Sequence, residues 1–122
     1  MPSPGAARPR RVSGPTGLTR SFSKADSGTW IETAGTVVRL YADERGPERH
    51  QRFVLDSGGG RTLLVLHNLD VAERVPLGIG DRVRVRGLYE WNDEGGLVHW
   101  THRDPMDREP GGWIRWRRRT WR

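Results

Sequence analysis

Four histidines, His50, His67, His99 and His102, carry most of the reactive potential of this 122-residue chain, which has no cysteine. His99 and His102 lie close to Thr101 and Asp104 in the run His-Trp-Thr-His-Arg-Asp-Pro, and Asn68 follows His67. An imidazole titrates near neutrality, so it can act as acid, base, metal ligand or hydrogen-bond donor. The spacing of His99 and His102 offers a ligand pair that His50, His67 or Asp104 would complete. On a regular strand, however, residues three apart point to opposite faces, so the pair meets only if the strand ends or bulges near Thr101. Hydrolysis would instead cast Thr101 as nucleophile, a histidine as base, and Asp104 or Asp70 as the orienting group. No glycine-framed serine is present, and the reaction class is not readable. The alternative is that these side chains tie strand ends together.

The elements that must position them are short and β-rich. Trp30 to Tyr41 reads as a strand of β-branched and aromatic residues, with Gly35 marking a bulge or bend. His50 to Asp56 is a second strand, with Phe53 and Leu55 on one face and Arg52 and Val54 on the other. Arg61 to His67 is nearly continuously apolar, as expected where both faces are covered. Between Asn68 and Ile79 the pattern breaks; Asp70 can cap a helical turn over Val71 to Glu73 that Pro76 ends. A hairpin follows from Gly80 to Asp104. Its first strand places Arg82, Arg84 and Arg86 towards water and Val83 and Val85 inward, and its return strand carries His99 to His102.

Three strands, a short helical linker and two more strands predict an all-β, five-stranded Greek-key barrel of the oligonucleotide/oligosaccharide-binding (OB) type. Residues 1–27 read as a disordered basic arm, 28–112 as the barrel, and 113–122 as a Trp/Arg-rich segment able to form a last strand or hairpin. In this topology His50, His67, Asn68, His99, Thr101, His102 and Asp104 are expected at one rim.

Charge divides the chain. The net charge is +6, yet residues 1–25 hold five basic groups and no acid, and so do residues 113–122, which leaves the middle at −4. Attraction to phosphate is therefore assigned to the ends, the usual alternative being solvated tails. For single-stranded nucleic acid or another polyanion, Arg52, Arg61, Arg82, Arg84 and Arg86 are the expected phosphate contacts, and Phe53, Tyr89 and Trp91 the expected stacking residues, on the face of strands two and three. No motif calls for a cofactor. No apolar run is long enough for a membrane span, no secretory signal opens the chain, and the lack of cysteine fits a cytoplasmic setting.

The phrases HQRF, TLLVLHN, GD followed by YEWN, GG, HWTHRDP and GGWI, in this order, resemble a bacterial family of small proteins classed only as a domain of unknown function. The resemblance spans about Gly35 to Trp121. It implies that His50, Gln51, Arg52, Phe53, His67, Asn68, Tyr89, Trp91, Asn92, His99, Trp100, Thr101, His102, Asp104 and Pro105 fall on family motif positions, and it implies no activity. It also implies a glycine and fewer arginines in the final turn, where this chain has Arg117, Arg118 and Arg119.

Overall fold

The structure is a computed structural model and describes residues 22–108 and 110–122. Most of the expected arm therefore lies outside the described residues. Its last part is ordered: Ser23 caps a 3-10 turn over Lys24–Asp26, and Phe22 sits against the Tyr89 ring with centroids 5.0 Å apart.

Seven strands follow: β1 (Trp30–Leu40), β2 (His50–Asp56), β3 (Thr62–Asn68), β4 (Arg82–Glu90), β5 (Leu97–His99), β6 (Trp113–Trp116) and β7 (Arg119–Trp121). The first five close on themselves in the order β1-β2-β3-β5-β4-β1, with β3 and β5 parallel and the other pairs antiparallel. This is an OB-like barrel. β1 closes it by serving two partners: Trp30–Thr36 pair with β4, and Thr36–Leu40 with β2. Gly35 sits at that change of partner. A Cβ there would lie 2.5 Å from the Asp56 carbonyl oxygen, so only glycine lets the strands approach. A bulge between Val37 and Arg39 adds the remaining curvature.

Strict alternation fills the interior. Phe53 and Leu55 of β2, Leu63 and Val65 of β3, Val83, Val85 and Tyr89 of β4, and Val98 of β5 are buried. β3 is not covered on both faces as its composition suggests, since Leu64 and Leu66 point outward and are half-buried.

The second edge of β4 is shared. Leu88–Glu90 pair with β5, while Arg84–Arg86 pair with β6. β6 and β7 form a hairpin that places Ile114 and Trp121 in the core. The basic C-terminal stretch is thus a folded part of the barrel wall and not a solvated tail.

The linker between β3 and β4 corrects the expected helix. It makes one turn, with the Ala72 amide donating to the Asn68 carbonyl, and then continues to Gly78 without regular structure, turning tightly at Pro76 where the Leu77 amide donates to the Val75 carbonyl. The non-helical course lets the Val75 backbone exchange two hydrogen bonds with the Gln51 side chain, at 2.7 and 2.9 Å, while the Val75 side chain enters the core. A helix would have consumed those backbone groups.

Candidate functional site

The expected histidine rim forms only in part. His67 points into the barrel beside its cross-strand partner Gln51 and is fully buried. Its Nε2 lies 2.8 Å from the Glu73 carbonyl, which can only accept, so Nε2 carries the proton. Nδ1 then accepts from the Thr101 hydroxyl at 2.7 Å. Burial holds His67 below the usual histidine range, and the nearby His102 and His50 act in the same direction. Both ring nitrogens are engaged, which leaves His67 no lone pair for a metal and Thr101 tied to it.

The others diverge. Trp100 has φ of 59°, so β5 ends at His99, short of the expected return strand to His102. His99 stays on the outer face with its Nε2 2.9 Å from Glu90. His102, turned inward by the bend, stacks on Trp100 at 5.6 Å and bonds the Arg103 carbonyl. His50 pairs with Glu44 at 2.8 Å. Asn68 accepts from the Asp70 amide, and Asp104 accepts from the Met106 and Arg108 amides, so both shape turns. Asp70 is far from its imagined role beside Thr101: it binds Arg49, whose amide and guanidinium hold its carboxyl below the usual range. Among the described residues, no group of three or more His, Asp or Glu side chains is arranged to hold a metal ion.

The expected polyanion contacts divide too. Phe53 and Tyr89 are fully buried core residues, so neither can stack on a base. The alternation that makes a strand aromatic-rich also turns these rings inward. Burial also pushes the Tyr89 phenol up. Trp91 is exposed, with Lys24 over its ring at 4.7 Å. Arg52 is held by the Ala42 carbonyl, Arg61 by the Gly58 carbonyl, and Arg86 by the Gly111 carbonyl and Glu32. Moreover, the β1–β2 and β4–β5 loops beside β2 and β3 carry Asp43, Glu44, Glu48, Asp93 and Glu94 against Arg45 and Arg49, and the β2–β3 turn adds only Arg61. That face has a net acidic rim.

Arg82 and Arg84 remain. They lie across the barrel, in a groove of about 330 Å³ lined by Ala34, Arg82, Val83, Arg84, Arg115, Trp116, Arg117 and Arg118. Five of its eight lining residues are arginines, and none is acidic. Two features of its construction are unfavourable in isolation. Arg84 and Arg115 are directly opposed across β4 and β6, a like-charge pairing that costs about 0.2–1 kcal/mol. Arg117 and Arg118, the two residues between Trp116 and Arg119, have φ of 52° and 68°. Two left-handed residues joining two strands make a type I′ turn, which favours Asn-Gly. Arginines there cost roughly 1–2 kcal/mol each.

Tryptophans position these cations. The Arg115 guanidinium lies 3.9 Å from the centre of the Trp113 ring, and Arg117 lies 4.8 Å from that of Trp116. Stacked guanidinium groups are pre-organised and keep their donor edges free. The C-terminal arginines of the groove were not among the residue-level phosphate candidates read from the sequence. The sequence signals for them were the basic excess of residues 113–122 and the alternation of Trp and Arg after Gly112.

No helix among the described residues is long and apolar enough to cross a membrane. A comparison with curated proteins finds no match. The model of the family described as "Protein of unknown function (DUF3465)" matches residues 7–122, so the chain, with its small β-barrel, belongs to that family.

Proposed function

We propose that this protein is a polyanion-binding module whose ligand is single-stranded nucleic acid or a related phosphate polymer, held in the arginine groove between β4 and the β6–β7 turn. The observation that carries the reading is the lining itself: Arg82, Arg84, Arg115, Arg117 and Arg118 converge without a carboxylate. Converging like charges raise the free energy of the empty protein, and an anion between them reverses the sign of that interaction. The groove volume lies at the low end of the range for small-ligand sites, which suits the backbone of a single strand and not the body of a duplex. The ligand then lies across the barrel from the usual OB face, where the acidic loops oppose it. A bacterial, cytoplasmic setting belongs to the same proposal.

The test is fluorescence anisotropy with a labelled 12-nucleotide oligothymidylate over a salt series. Engagement of four to five phosphates by a single strand gives a slope of log K against log salt near −3. The outward pair R82Q/R84Q keeps the fold, because both side chains are exposed, and lowers affinity by about tenfold or more. A folded double variant with the parent affinity rejects the groove as the binding site.

A further inference from the structure

Each tryptophan ring of this chain already has a cation or an imidazole against it, and that bears on what is read in the groove. Arg86 lies over Trp30, Lys24 over Trp91, Arg115 over Trp113, Arg117 over Trp116 and Arg119 over Trp121. The sixth tryptophan, Trp100, carries His102. Around the groove, Trp113 is buried, and Trp116 has Trp121 against it, with centroids 5.9 Å apart. Single-strand binders that contact bases need an open aromatic platform. Here those platforms serve as mounts for guanidinium groups.

Resting on the reading above, we infer that the groove recognises closely spaced phosphates alone, without base contacts, and that the left-handed Arg117–Arg118 turn is the element that grips them. A two-residue hairpin turn with both φ values positive would be most stable as Asn-Gly. Arginine keeps the strained conformation, and the stacking of Arg117 on Trp116, about 0.5–1 kcal/mol, offsets only part of its cost. Strain retained at such a place points to function. The turn projects two guanidinium groups over the trough whose other wall is Arg82 and Arg84. Each guanidinium can fork two phosphate oxygens. The one aromatic ring that lines the groove, the half-buried Trp116, already carries Arg117 and packs against Trp121, so on this inference the bases project to solvent. A phosphodiester strand and free inorganic polyphosphate present the same chemistry.

The experiment uses the full chain and three probes: labelled oligothymidylate of 12 nucleotides, an abasic deoxyribose-phosphate strand with the same number of phosphates, and inorganic polyphosphate as competitor. Phosphate reading predicts that the abasic strand binds within about threefold of oligothymidylate and that polyphosphate displaces both. A loss of tenfold or more on removing the bases overturns it. If polyphosphate fails to compete while both strands bind, the ligand is restricted to phosphodiesters, and the inference of recognition by phosphate alone is also overturned. The variant R117N/R118G should bind about tenfold more weakly or worse, with a salt slope smaller by about 1.4, two phosphate contacts fewer. It should also melt about 5 °C or more above the parent, as strain is released. The charge-matched R39Q/R45Q, on other parts of the surface, should bind within twofold of the parent. Equal losses in the two double variants would overturn the role of the turn and leave the groove reading standing. A parent that binds none of the probes overturns both.

Discussion

Acidification should destabilise this barrel through one imidazole, and the effect can be isolated. His67 is buried, neutral and protonated at Nε2, with Glu73 and Thr101 as its partners. Its folded pKa lies below the usual value of about 6.5 because burial disfavours the cation. The sign follows from proton uptake. Above about pH 6.5 neither state binds the extra proton, and the contribution is fully present. As pH falls below that value, the unfolded chain takes up a proton that the folded chain refuses, and stability is lost. The slope reaches at most ~1.4 kcal/mol per pH unit. Between pH 6.5 and 5 this slope limits the loss to at most about 2 kcal/mol, a sizeable share of the stability of a small domain. His67→Leu removes the titration. It also strands the buried Thr101 hydroxyl, at a cost of about 1–3 kcal/mol. Urea unfolding followed by tryptophan fluorescence, on both proteins from pH 8 to 5, should show a stability gap that is widest at pH 8 and closes below pH 6.5. A gap that stays constant over the whole range would refute the assignment of a buried neutral His67.

Three other changes test the packing and the division of labour along β4. Gly112→Ala would place a Cβ 2.2 Å from the Trp100 carbonyl oxygen and 2.3 Å from that of Arg86, both backbone atoms; thermal melting should show a loss of about 3 kcal/mol or more. Phe53→Ala should cost about 3–5 kcal/mol in urea unfolding, as expected of a fully buried ring and not of a ligand contact. Trp91→Ala, at the far end of β4 from the groove, should leave oligonucleotide affinity within twofold in anisotropy titrations and change stability by less than about 1 kcal/mol.

The barrel was legible because alternation is a local property. Arg82, Val83, Arg84 and Val85 state which face of β4 is inside, and the order of strands and breaks then narrows the topology. Gly35 was readable as a bend for the same reason. The linker was misread because the interaction that fixes it is not local: Gln51 engages the backbone of Val75, 24 residues away. The histidine rim was half legible. Strand pairing brought His67 to the barrel end, but the left-handed Trp100, which decides where His99 and His102 point, has no signature in the residue type. Of the expected aromatic contacts, Phe53 and Tyr89 failed on burial while Trp91 is exposed, since a ring's chemistry does not say which side of a sheet it occupies.

What separates the two candidate sites is the fate of their polar groups. A side chain whose hydrogen-bonding capacity is already met by the fold offers a ligand little, because binding must first break those bonds. His67, Thr101, Asn68 and Asp104 are in that position, and His50 and His99 each face a glutamate. The groove arginines are in the opposite one. Among the described residues, no carboxylate faces Arg82, Arg84, Arg115, Arg117 or Arg118, and only the ring faces of Trp113 and Trp116 hold two of them. A guanidinium stacked on an indole keeps its full set of in-plane donors. The cations that the fold positions but does not neutralise are therefore the ones with binding free energy left to give.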